Sequence, residues 1–412
     1  MPPDAPIAPH SRTERHELID ALRGFALAGV LLANLSTFSL YQYLNEKAQA
    51  ALPTAGFDKV VNVALQLLLT HKAVTVFSIL FGLGFAMQLE RAQARGADGL
   101  RVFLRRMTVL LAIGVLHSAY WFGDILLIYA AAGFALILFR KWPDRWLVWG
   151  GFLIALGATA ALRPALIASM GAYMPREQFN AAVLQGLLSP SWEASLGANI
   201  ESIRRWYPIG GLWLVCFALG RFLLGYWAGR RRLLQEPEAH RPLLKRILAW
   251  TLPLGAIATG LQFAQASIKQ AVPMLAEGPG AIAWSVIGYA GPLLLGIAFG
   301  IVFVLLFLHE GWKRWLRHFA PAGRMALTNY LMQTAVCTGV FYGIGLGIGP
   351  KFGTASWLVL WVLLFGAQMV VSRWWLARYR FGPMEWLWRT LTYGRLQPMR
   401  PATATDQPAT SA

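Results

Sequence analysis

Apolar runs of about 18 residues or more recur along most of the chain, separated by short polar or basic segments. At 1.5 Å per residue, such runs span a hydrocarbon layer of roughly 30 Å as helices. The pattern predicts an all-α, polytopic integral membrane helix bundle of about ten transmembrane helices. The predicted spans are 18–40, 69–89, 103–119, 123–140, 146–163, 207–229, 246–265, 282–308, 323–345 and 355–377. A further apolar stretch, 57–68, reads as a short partial helix, and no internal repeat stands out. Leu18 to Leu40 is too long for the apolar core of a signal peptide and is followed by no A-x-A-like site, so it reads as a retained first helix.

The polar segments orient this bundle. Residues 1–17 form a polar N-terminal tail with Arg12 and Arg15. Arg91, Arg95, Arg101, Arg105 and Arg106 follow the second span, and Arg140, Lys141 and Arg145 the fourth. Arg230, Arg231, Arg232, Arg241, Lys245 and Arg246 follow the sixth, Lys313, Arg314 and Arg317 the eighth, and Arg378, Arg380, Arg389, Arg395 and Arg400 the tenth. The basic segments alternate, so all fall on one side, which the positive-inside rule makes the cytoplasm. The reading is an inner-membrane protein with both termini cytoplasmic. Two outward segments, 41–57 and 164–206, are longer than a connection needs. Phe381 to Tyr393 is amphipathic and tryptophan-rich, so 378–397 is expected to lie on the inner surface, and 398–412 to be a disordered tail.

Composition changes this picture little. Of 412 residues, 57% are hydrophobic and 14% charged, about half the usual charged share, and the mean hydropathy is +0.49. The net charge of +18 raises nucleic-acid binding, but no basic stripe on a soluble domain carries it. The bilayer and its anionic headgroups are the expected partners of these charges, with no nucleic acid. Cys216 and Cys337 sit inside apolar runs and read as small buried hydrophobes.

Polar residues at membrane depth carry the candidate chemistry, since an ionisable one costs at least about 2.5–3.5 kcal/mol there. Asp20, Arg23 and Gly24 open the first span. Asp20 and Arg23 can pair across one turn, and Asn34, eleven residues after Arg23, faces the same side three turns on. The plain alternative is an orientation anchor. Thr70-His71-Lys72 lead into Phe77–Gly84. His71 suits a general base or an ordinary interfacial pair, and Gly82 and Gly84 suit helix packing. His117 and Asp124 flank a tight turn that brings them within hydrogen-bond reach. That makes either a base with its orienting carboxylate or a structural clasp between helices. Two such ligands do not make a metal site, so none is expected. Lastly, Gly323–Gln333 places Asn329 and Gln333 on one helical face and Arg324 with Thr328 on the next, as interhelical glue or as a cavity lining.

Five stretches, in order, resemble the YeiB-type bacterial membrane proteins. They are Ile19–Leu27 with Asn34, Phe77–Gly84, His117 to Tyr129, Gly323–Gln333 and Gly382–Arg389. That family carries a domain of unknown function and looks distantly similar to the transmembrane acyltransferase superfamily. The superfamily's ten-helix core opens with an Asp-x-x-Arg-Gly-like motif. Eleven residues after the arginine, its surface-glycan enzymes place a histidine and its heparan-α-glucosaminide N-acetyltransferases an asparagine. Asn34 follows the heparan type.

The resemblance implies acyl transfer from a cytoplasmic donor such as acetyl-CoA, with no bound cofactor, to a glycan or lipid acceptor on the outer side. Arg23 would meet the donor's phosphates and His117 or His71 would deprotonate the acceptor. Asp124 would orient the imidazole, and Asn34 or Asn329 would hold the acyl carbonyl. Asp20, Arg324 and Gln333 complete the expected substrate-binding set. The alternative is a small-molecule transporter or permease lined by the same groups.

Overall fold

The computed structural model describes residues 12–94 and 98–400. The described chain is all-helical. Its principal helices, labelled in chain order, are α1 (Arg12–Phe38), α2 (Ala55–Leu68), α3 (Lys72–Gln93), α4 (Gly99–Tyr120), α5 (Leu126–Leu136), α6 (Asp144–Phe152) and α7 (Thr159–Tyr173). These are followed by α8 (Arg176–Leu188), α9 (Trp192–Arg230), α10 (Arg241–Phe263), α11 (Gly278–Phe307), α12 (Ala326–Phe341), α13 (Thr354–Leu376) and α14 (Pro383–Tyr393). A π-helical segment, Leu153–Ala158, joins α6 to α7 without a break.

Among the described residues, six helical stretches are long and apolar enough to cross a membrane: Glu17–Phe38, Ala55–Ala92, Asp144–Tyr173, Trp192–Arg230, Gly278–Phe307 and Thr354–Leu376. A seventh results if α10 and Gln265–Ala271, bent by 71°, count as one span. These seven account for the predicted spans 18–40, 69–89, 146–163, 207–229, 246–265, 282–308 and 355–377. The other three, at 103–119, 123–140 and 323–345, do not meet the same length and composition, so the count of ten is not confirmed. α4 carries Arg101, Arg105 and Arg106 in its first eight residues. The apolar helix Leu126–Phe139 and α12, with 16 residues, reach only about 20–25 Å. α5 and α12 carry mainly buried residues and belong to the bundle's interior.

Two further segments are helical. Residues 164–206, read as an outer loop, are mostly helix: the end of α7, all of α8 and the first fifteen residues of α9. The N-terminal tail is helical from Arg12, while residues 1–11 lie outside the described residues. The same holds for 401–412 of the predicted disordered tail. α14 lies within 378–397.

Close helix crossings depend on glycine. A β-carbon at Gly24 would stand 2.1 Å from the Phe319 carbonyl oxygen, and one at Gly323 would stand 1.9 Å from that of Asp20. α1 and the short helix Ala320–Arg324 therefore meet backbone to backbone. Gly82 of α3 and Gly225 of α9 make the same kind of crossing, against the carbonyls of Phe222 and Ile79. Gly82 is thus a packing residue, as its place in an apolar helix implies.

Candidate functional site

The turn between α4 and α5 is where polar chemistry is most concentrated. His117 Nδ1 lies 2.7 Å from Asp124 Oδ1, and His117 Nε2 lies 2.9 Å from Thr334 Oγ1 of α12. All three residues are buried. Asp124 has a second task, because its Oδ2 accepts the Leu127 amide hydrogen at 2.8 Å and so caps the start of α5. Tyr330 packs its ring 5.3 Å from the imidazole and donates no hydrogen to it; instead its hydroxyl accepts the Ile125 amide. Tyr120 pairs with Thr338 at 2.7 Å. Asn199, in the helical part of 164–206, accepts from Phe122 N and donates to the Tyr120 carbonyl. The turn is thereby held from both sides.

The C-terminal part of α1 closes this corner. Trp121 stacks on Phe38 at a centroid distance of 4.2 Å. Asn34 is one turn before Phe38 on the same face of α1. It is half-buried and its side chain makes no hydrogen bond among the described residues.

The opposite, arginine-rich end collects another group. Arg23 pairs with Asp20 at 2.8 Å, at partial exposure. The charges of Arg23 and Arg389 both bear on Arg106, so arginines from α1, α4 and α14 converge. Arg106 lies over the Trp388 ring at 4.0 Å, and Trp388 Nε1 donates to the Arg106 carbonyl at 2.9 Å. α14 is tied down by Glu385, whose carboxylate accepts from the Leu327 and Thr328 amides and the Thr328 hydroxyl. Those amides are the unpaired donors at the N-terminus of α12, where a carboxylate is favoured. Burial nonetheless pushes the Glu385 carboxyl above the ordinary glutamate value, with the Thr328 bonds opposing it.

The fourth predicted group acts mainly as glue. Asn329 donates to the Ala322 carbonyl and to Ser372 of α13, and Gln333 donates to Gln368, which donates back to the Asn329 carbonyl. Both donor hydrogens of the Asn329 amide are directed at these partners, which leaves none for an acyl carbonyl. Arg324 is exposed at the end of its short helix.

His71 falls in a different cluster from His117. It sits between α2 and α3 with φ +60°, exposed, and its ring meets Phe217 of α9 edge-on at 5.7 Å. The charges bearing on it are those of Lys72 and Arg221. Arg221, Thr334 and Asn199 are absent from the set that the sequence suggests. An arginine inside the predicted span 207–229 is itself a signal, as is a threonine one residue after Gln333. Asn199 gave none, since it lay in a presumed loop. Among the described residues, no three His, Cys, Asp or Glu side chains gather as a metal site.

The fold and its buried polar corner define a polytopic membrane helix protein with a histidine–aspartate pair between two helices. The family model "Protein of unknown function (DUF418)" matches residues 228–395. Over 96% of this chain and 99% of the relative, it is 31% identical to the uncharacterized protein YxaH of Bacillus subtilis (strain 168). It is 30% identical to the uncharacterized protein YeiB of Escherichia coli (strain K12), over 92% of this chain and 96% of that one. The chain belongs to this YeiB/YxaH family, whose function is unknown. No solved structure matches it.

Proposed function

We propose that this protein is an acyltransferase of the bacterial inner membrane. It would move an acyl group from a cytoplasmic acyl-CoA-type donor to a hydroxyl or amine at the outer side. The observation that carries the proposal is the His117 corner. Asp124 takes the hydrogen on Nδ1, which leaves the Nε2 lone pair facing a hydroxyl, that of Thr334, at 2.9 Å. An acceptor hydroxyl in Thr334's place on Nε2 would give its proton to His117 while its oxygen bonds the acyl carbon. The carbon–sulfur bond of the thioester then breaks, and the leaving thiolate takes the proton back from the imidazolium. Asn34 is the amide free to donate to the oxyanion that develops.

The positive-inside rule puts the arginine-rich end in the cytoplasm. There Arg23, Arg106 and Arg389 offer three guanidinium groups to the donor's phosphates. Arg23 and Asn34 are eleven residues apart, or about 16 Å along the helix. That is a distance for the flexible arm of a coenzyme A thioester to bridge between helices. Anionic lipid headgroups would compete for the same arginines.

A transporter reading has one observation of its own, the buried Arg221, which suits a path for an anion. The deciding experiment is acyl-CoA consumption by purified protein in nanodiscs, with glycan and lipid acceptors. Transfer or hydrolysis that His117→Ala abolishes and His71→Ala retains is the expected result. Absence of turnover with every short acyl-CoA, from folded protein, would sink the enzyme and favour transport.

A further inference from the structure

Arg221 is fully buried, nine residues before the end of α9, and so about 13 Å in from the arginine-rich end. Its Nε donates to Thr75 Oγ1 at 2.9 Å and its Nη1 to the Phe217 carbonyl at 2.8 Å. Both acceptors are neutral. Nη2 has no hydrogen-bond partner, and no carboxylate lies within ion-pair distance among the described residues. The flat guanidinium lies 3.5 Å over the Phe217 ring.

Among the described residues, the surroundings add positive charge and no carboxylate. Lys72 is buried at the start of α3, with Nζ donating to the Gln66 carbonyl at 2.5 Å, again a neutral acceptor. His71 shares the Phe217 ring and is close enough to Lys72 and Arg221 for both charges to bear on it. Tyr129 approaches Arg221 from α5, its hydroxyl paired with Ser78 at 2.7 Å. A cation at this depth is found paired or facing a water-filled path, because hydrocarbon gives it no solvation. Two cations from α3 and α9 with only neutral acceptors are a receptor that lacks its anion's charge.

We propose that Arg221, Lys72 and His71 bind the phosphate group of an anionic amphiphile. The phosphate would take the hydrogens of Arg221 Nη2 and compensate Lys72, with His71 at the mouth. The approach argues for an amphiphile. His71 is exposed where α2 meets α3, and α2 turns Phe57, Val60, Val63, Leu67 and Leu68 outward, an apolar surface suited to acyl chains. The site stands apart from acyl transfer, since it would serve an enzyme or a transporter.

The test is the thermal midpoint of the full chain in detergent. It is titrated with phosphatidylglycerol, phosphatidylcholine or inorganic phosphate, for wild type, Arg221→Met, Lys72→Met and the surface control Arg378→Gln. Phosphatidylglycerol should raise the wild-type and Arg378→Gln midpoints, with half-saturation roughly tenfold weaker or lost in Arg221→Met and Lys72→Met. Inorganic phosphate producing the same Arg221-dependent shift would reassign the source to a soluble anion while keeping the phosphate site. An equal shift in all four proteins, or none in wild type, would overturn the site. Should Arg221→Met fail to fold, Lys72→Met carries the comparison.

Discussion

His117 and Arg221 are both buried ionisable side chains in apolar helices, and they are treated in opposite ways. Each ring nitrogen of His117 has a partner, one of them a carboxylate, and the turn that presents it is braced by Asn199 and Tyr330. Arg221 has neutral acceptors on one side and an unpaired nitrogen on the other. A closed network is compatible with structure alone, so its chemistry has to be tested by turnover. An uncompensated cation is costly as structure, so its presence argues for a ligand.

The comparison breaks first at His117. If the corner is a base, His117→Ala should lower turnover by about 10²–10⁴-fold, while Asp124→Asn lowers it less and leaves the α5 cap. A loss of thermal stability with unchanged turnover would reduce the corner to a clasp. Next comes the crossing beside Arg221. Gly82→Val has to push α3 from α9 at the Phe222 carbonyl, at a cost of about 1–3 kcal/mol or more. Because Thr75 leaves Arg221 with α3, the variant should weaken anion binding more than turnover. Equal damage to both would show that the regions are one cooperative unit. A smaller effect is expected of Arg221→Met without ligand. Replacing an unpaired buried cation by an apolar chain should raise the apparent midpoint by a few degrees, about 1–2 kcal/mol. A fall of that size would mean the guanidinium's bonds to Thr75 and Phe217 outweigh its unpaired charge.

How far each region was legible in the sequence follows from what hydropathy can see. His117 and Asp124 stood out because seven residues and a tight turn separate them, so their meeting needs no tertiary knowledge. Arg221 was hidden by its own neighbours, since one charge among Phe217–Leu224 barely lowers a window average. The helices of 164–206 were missed for the converse reason. Arg176, Glu177, Glu193, Glu201, Arg204 and Arg205 make them too polar to read as spans, though all are sound helix formers. Thr334 could be placed only once α12 was packed against α4, 217 residues away. Three of the ten predicted spans lack a helix that is both long and apolar enough: α4 carries three arginines at its start, and Leu126–Phe139 and α12 are shorter than the hydrocarbon layer is thick.

The smallest expected effect sharpens the His117 side, because α12 carries Thr334 and Glu385 holds its N-terminus. Burial raises the Glu385 carboxyl above its ordinary value of 4.5. A carboxylate raised on folding contributes stability that is fully present below the unfolded value and is lost as pH rises through the folded one. Wild type should therefore lose some stability across the window just above the ordinary glutamate range. Glu385→Gln keeps one oxygen for the Leu327 and Thr328 amides and should remove that slope. Thermal midpoints of both proteins against pH decide it. A wild-type midpoint that instead rises through the window would mean the helix-terminal amides and the Thr328 hydroxyl outweigh burial. α14 would then dock as a charged clamp on the helix that faces the imidazole.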